Sequence, residues 1–126
     1  MSKIIINTEK APAPIGPYSQ ATKVGNTLYV SGQIAIDQSS GNMILDSITN
    51  ETHQVMKNIG YILDQASMSY DNVVKCSIFV SDMGNFATIN AAYGEYFKNN
   101  PPARETVEVS CLPKNVNVEI SCIAVS

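Results

Sequence analysis

From Asn115 to Val125 the chain alternates, with Val116, Val118, Ile120 and Cys122 on one side and Asn117, Glu119 and Ser121 on the other. A period of two is that of a β-strand whose faces meet different surroundings, and a strand of this kind needs a second layer over its apolar side. The pattern recurs at Val73–Val80, where Val74, Cys76, Ile78 and Val80 are expected on one face. It recurs again at Arg104–Cys111, where Val107 and Val109 face one way and Arg104, Thr106 and Glu108 the other. The covering layer is legible as well. Behind Asp46 or Ser47, either a good N-cap, apolar residues fall at Ile48, Val55, Met56, Ile59, Ile62, Leu63 and Ala66, the period of an amphipathic helix. A second helix is expected from about Asn85, with the stripe Phe86, Ile89, Tyr93 and Phe97, ended by Pro101-Pro102. Asn90 sits on that stripe, where an unpaired buried amide would cost about 1–3 kcal/mol. The order of elements predicts an α+β fold: a mixed β-sheet with two helices packed on one face, forming a single domain over residues 1–126.

Ahead of these elements, residues 8–17 hold Pro12, Pro14, Gly16 and Pro17 and read as an extended lead-in ending at Tyr18. Gly25-Asn26 marks a turn before a strand over Thr27–Ile36. Gly32 interrupts that strand, as glycine does at a bulge or where another group must approach the backbone. Asp37–Asn42 is the next turn. Helices on one face leave the other uncovered, and Tyr29 and Phe79 belong to it. Charged residues are 15% of the chain, below the ~25% usual for soluble domains, and interface cores are poor in charge. A homo-oligomer that buries this face is therefore expected.

Composition narrows the partners. The net charge is −3, with seven lysines scattered along the chain and a single arginine, Arg104, so no basic stripe exists to neutralise a nucleic-acid backbone. No stretch is long and apolar enough to span a membrane, and the apolar part of Ser2–Asn7 is too short for a signal peptide, so a cytoplasmic protein is expected. Cys76, Cys111 and Cys122 are odd in number and widely spaced, and read as reduced thiols packed in strands. Neither GxxxxGK[ST] nor GxGxxG occurs. His53 is the only histidine, which excludes multi-histidine metal sites and acid–base histidine pairs, and its neighbours Lys57 and Asp64 suggest a solvated position. Asn50-Glu51-Thr52 matches a glycosylation acceptor by accident of sequence.

Five places ask for an explanation: Tyr18 after Gly16-Pro17, Ser31-Gly32 within a strand, Asn90 on an apolar stripe, Arg104 at a strand start and Glu119 in the last strand. Each alone has a structural reading, such as a core-capping tyrosine, a bulge, a satisfied amide or an Arg104–Glu119 ion pair. Together they suggest a small polar pocket for one anionic group.

Ile15–Ala21, Val30–Ile34, Phe86–Tyr93, Pro102-Ala103-Arg104, Val107-Glu108-Val109, Leu112-Pro113-Lys114 and Val118-Glu119-Ile120 occur in an order that resembles the YjgF/Rid family of imine deaminases over essentially the whole chain. The resemblance implies a chorismate-mutase-like fold assembled as a homotrimer, with sites in the clefts between subunits. It implies hydrolysis of 2-imino or 2-enamino acids, such as 2-aminoacrylate and 2-iminobutyrate, to 2-keto acids and ammonia, without metal or cofactor. Arg104 would take the substrate carboxylate with its planar fork, and Glu119 would position the attacking water. Tyr18 would close over the substrate, Ser31 and the Gly32 backbone would line the pocket, and Asn90 would support the arrangement. Many relatives carry cysteine where this chain has Thr106; a backbone role there survives the change, whereas a thiol role or its oxidation would be lost. Glu105 should point away from the anion site by strand alternation. Two other classes are implied by relatives or by the same pocket: a non-catalytic keto-acid-binding regulator, and an endoribonuclease or translation inhibitor, against which the acidic charge and single histidine argue.

Overall fold

In the computed structural model, which describes residues 2–126, the elements in chain order are β1 (Lys3–Ile6), β2 (Ala21–Val24), β3 (Thr27–Gln33), β4 (Ile36–Asp37), β5 (Asn42–Met43), α1 (Ile48–Gln65), β6 (Val73–Val80), α2 (Phe86–Gly94), β7 (Ala103–Glu108) and β8 (Val118–Val125). Six strands form one sheet in the order β1-β2-β3-β8-β6-β7, and β4 and β5 form a small hairpin. The β6–β7 pair is parallel and the other pairs of the large sheet are antiparallel. A parallel pair needs a crossover, and α2 supplies it.

Both helices lie on one face, as the alternation requires. Ser47 caps α1 by accepting from the Asn50 backbone N–H at 3.0 Å, while the Asp46 carboxylate takes the Asn50 amide instead. Val55, Met56, Ile59, Ile62 and Leu63 are fully buried against Leu28, Ile78, Val118, Ile120 and Ala124. Each large aliphatic side chain so removed from water contributes about 1.5–3 kcal/mol. No helix among the described residues is long and apolar enough to cross a membrane.

Several expectations need correcting. Val74 is exposed, and Val73 takes its place in the core, because the β6–β8 register shifts between Val73 and Lys75. The last strand starts at Val118, not Asn115: Pro113–Asn115 form a turn of 3-10 helix in which Lys114 and Asn115 have φ of 57° and 55°. Val116 is buried, but in a second small cluster with Ile34 and Leu112 rather than under α1. Phe79 packs against that cluster and is half-buried, whereas Tyr29 on the same uncovered face is exposed. α2 ends at Gly94, well before Pro101-Pro102, although Phe97 still stacks on Tyr93 with ring centroids 4.9 Å apart. Cys76 and Cys122 are buried free thiols, but Cys111 is exposed and lies beyond β7. His53 is not a free surface group; its Nδ1 lies 2.8 Å from the Tyr96 hydroxyl and its Nε2 3.5 Å from Glu95, which ties α1 to the segment after α2. Strands β1 and β2 were not expected from the sequence pattern.

Candidate active site

Gly32 lies within the register shift that separates Val30 from Gln33 on β3, and the group that approaches its backbone is Glu119 of the neighbouring β8. A Cβ at position 32 would stand 2.4 Å from Glu119 Oε2, closer than any real contact. The carboxylate is half-buried there, and burial pushes its pKa above the ordinary carboxylate value. Gly32→Ala will therefore displace the flexible end of Glu119 rather than the backbone. Because a displacement of about 1 Å can lower a rate about 10²-fold, a loss of at least about tenfold in kcat/KM is expected with little change in Tm. A fall in Tm with unchanged kcat/KM would contradict this account.

Around Glu119 and Gly32 lies a cleft of about 380 Å³, completed by Ile15, Tyr18, Ser31, Ile34 and Pro113. The lead-in reaches it because buried Gln20 clamps the chain on both sides of the proline-rich loop. Its Oε1 accepts from the Thr8 N–H at 2.8 Å, and its Nε2 donates to the carbonyls of Thr8, Ala11 and Pro12. The Ser31 hydroxyl donates to the Ser19 carbonyl at 2.6 Å, so Ser31 fixes the loop's far end. Tyr18 lies exposed at the edge of the cleft, its hydroxyl accepting from the Ile15 N–H at 3.2 Å.

Arg104 stands elsewhere. It projects from edge strand β7, and its guanidinium donates to Asn90 Oδ1 at 2.7 Å and stacks over Tyr93 and Phe86, 5.1 and 5.7 Å from their ring centroids. The oxygen of the Asn90 amide on the apolar stripe of α2 is thus satisfied by the arginine. No carboxylate among the described residues lies within ion-pair distance of Arg104. Four of the five guanidinium N–H groups have no acceptor among the described residues. Thr106 faces the same side, level with Ile78, and its buried hydroxyl has no hydrogen-bond partner. Glu105 points the other way, as alternation requires, bonded to Ser77 and to Lys75 at 2.9 Å.

The register puts the two groups on opposite faces of the sheet. Arg104 is level with Cys76, which pairs with buried Cys122, whereas Glu119 is level with Phe79. Tyr18, Ser31, Gly32 and Glu119 come together in one chain, and so do Asn90 and Arg104. An Arg104–Glu119 ion pair within the chain does not form.

Sequence reasoning missed Glu51, Gln54 and Asn58, which form a buried polar stripe on α1. Their spacing of three and four residues within an amphipathic helix, between Ile48 and Ile59, was the available signal.

Two helices packed on one face of a mixed sheet place the chain in a class of small α+β domains, and the family model Endoribonuclease L-PSP matches residues 8–126. A RutC family protein of Pyrococcus abyssi is 49% identical over 124 residues, covering 98% of each chain. The mouse protein named 2-iminobutanoate/2-iminopropanoate deaminase is 46% identical over 128 residues, covering 99% of this chain and 95% of its own. The crystal structure of YyfA from Yersinia pestis, described as a member of the conserved Rid protein family, superimposes with a TM-score of 0.95 at 45% identity, covering 99% of this chain and all of that one. The chain belongs to the YjgF/Rid family.

Proposed function

We propose that the protein hydrolyses 2-imino acids, formed from 2-enamino acids such as 2-aminoacrylate, to 2-keto acids and ammonia. The observation that carries this reading is an arginine with no carboxylate partner among the described residues, held by a neutral amide and two aromatic rings. Such a guanidinium is prepared for an anion that the chain does not supply, and its fork fits a carboxylate in a bidentate pair. In this reading Arg104 binds the substrate carboxylate. Glu119 takes a proton from water as the water oxygen bonds to the imine carbon, then returns it to nitrogen. The carbinolamine hydroxyl then gives up its proton, which Glu119 passes to the amino nitrogen, and as the C=O bond forms the C–N bond breaks and ammonia leaves. Tyr18 covers the bound substrate, and Ser31, the Gly32 backbone and Thr106 line it. No metal or cofactor takes part, since an imine is already electrophilic and orientation with one placed water supplies the acceleration.

Because the halves lie on opposite faces of one chain, the working site in this proposal joins Arg104 of one copy to Glu119 of the next, in a chorismate-mutase-like homotrimer closed over the uncovered sheet face. A sedimentation mass of three times 13.6 kDa is expected, and a stable monomer would refute the shared site. The reaction is tested by coupling a purified serine or threonine dehydratase to the protein and following imine decay; a rate equal to buffer alone overturns the reading. Keto-acid binding, read as thermal stabilisation, without any turnover would favour a regulator instead.

Glu119 also sets a pH dependence. Burial raises the pKa of its carboxyl, so the ionised form needed as base is lost, as pH falls, at a higher pH than for an ordinary carboxylate, and activity should fall with it. Stability moves the other way. The native state holds this proton more tightly than the unfolded chain, so the contribution of Glu119 to stability declines as pH rises from its unfolded value of about 4.5 through the raised native value, and stays low above it. Glu119→Gln should therefore abolish activity yet unfold at a higher temperature than wild type at neutral pH, with the difference vanishing below about pH 4. A Gln variant that is inactive and also less stable at neutral pH would contradict it.

A further inference from the structure

Glu51 is a fully buried carboxylate with no cation beside it among the described residues. Burying a charge in this way is unfavourable unless hydrogen bonds satisfy it. Here three do: Oε2 accepts from the backbone N–H groups of Asn117 and Val118 at 2.7 and 3.2 Å, and Oε1 from the Asn117 side-chain amide at 2.7 Å. Those donors sit at the entrance of β8, one and two residues before Glu119, shortly after the left-handed pair Lys114 and Asn115. Left-handed backbone at two consecutive non-glycine residues is strained, so the chain there needs an outside hold.

The same helix face grips the opposite wall of the cleft. Asn58, also fully buried, donates to the carbonyls of Ile34 and Ile36 at 3.0 Å each, just beyond the Gly32 bulge, and accepts from Gln54 at 2.9 Å. Glu51 therefore fixes the strand that carries Glu119, and Asn58 fixes the end of the strand against which Glu119 lies.

We infer that Glu51, seconded by Asn58, is a positioning residue that sets where the Glu119 carboxylate stands over Gly32. The inference deepens the proposed reaction and rests on it for its kinetic consequence, but its geometric content does not. Within one chain, Tyr18 is the only other titratable side chain among the described residues that lines the cleft; in the proposed shared site the guanidinium of Arg104 from the next copy faces Glu119 as well.

The test is an NMR titration of the Glu119 side-chain carboxyl carbon, assigned by its loss in Glu119→Gln, in wild type, Glu51→Gln and Glu51→Met. Gln keeps one oxygen acceptor, and Met keeps only a weakly accepting thioether sulfur. Release of β8 lets Glu119 leave Gly32 for water, so its midpoint should fall toward the ordinary carboxylate value, further in Met than in Gln. In the coupled imine assay the acid limb should move to lower pH, with kcat reduced about tenfold and KM within about twofold of wild type. Ile59→Val, a core change that lowers stability alone, should leave the midpoint in place. Should Glu51→Met fail to fold, Glu51→Gln decides by the same measurement. A midpoint equal to wild type in the folded Glu51 variants overturns the inference and leaves Glu51 a structural group. A wild-type protein without imine hydrolysis would overturn the proposed reaction instead, and the titration would still read the positioning.

Discussion

Arg104→Ala will lower kcat/KM for imine hydrolysis by about 10²–10³-fold while leaving the fold and the assembly intact. Truncating one member of a hydrogen-bonded charge pair removed from water costs about 2–5 kcal/mol, and each 1.4 kcal/mol is a factor of ten. The fold should tolerate the change, because Arg104 lies on an edge strand and, among the described residues, its side chain hydrogen-bonds only to Asn90. Arg104→Lys separates charge from shape. Lysine keeps the positive charge but loses the two-pronged geometry and the flat stacking on Tyr93 and Phe86, so it should recover only a small part of the lost activity. Steady-state kinetics with circular dichroism and sedimentation on both variants checks this. An alanine variant that turns over imine as wild type does would remove Arg104 from the site and with it the reading of the chemistry.

The single arginine is plain from the amino-acid sequence alone, and so is the sheet. The alternation at Val118, Ile120 and Cys122 survives intact because the middle strand of a sheet covered on one face is held to its period by burial. Where a local device breaks the period, the sequence misleads. Val73 and Val74 are chemically identical neighbours, and only the register shift beside them decides which one is buried. Phe97 has the spacing of a helical stripe and packs like one, though the helix has already ended. His53 looks solvated beside Lys57, yet Tyr96, 43 residues away, meets it through tertiary packing that no local pattern records.

The candidate site was legible as a set of residues but not as an arrangement. Period two placed Glu119 and Arg104 on particular faces of their own strands. Only the pairing of β6 with both β7 and β8 shows that those faces are opposite. Glu51 escaped notice for a different reason. A glutamate in the first turn of a helix is ordinary, since it favours the positive end of the helix dipole, and only its spacing from Gln54 and Asn58 hints that it is buried. Its partners lie 66 and 67 residues further along the chain.

Opposite faces lead to the second large effect, in which two inactive proteins should make an active one. Arg104→Ala retains Glu119, and Glu119→Gln retains Arg104. If each site takes its arginine from one copy and its glutamate from the next, a trimer containing both variants has some interfaces where both contributed residues are intact. In a random one-to-one mixture the arginine side is intact in half of the interfaces and the glutamate side in half, so about a quarter of the sites should be complete. Co-expression with two different tags and purification through both would isolate such mixed trimers; whether two-to-one or one-to-two, each has one complete interface in three, so their kcat per site should be about one third of wild type, against a background near zero for either parent. The KM of the restored sites should equal that of wild type, because a complete interface is chemically unaltered. Mixed trimers as inactive as their parents would mean that Arg104 and Glu119 serve one site from the same copy, or serve none. The sheet register makes the first of these hard to build without unpairing β7 from β6, so the mixing experiment tests the chemistry and the assembly in one measurement.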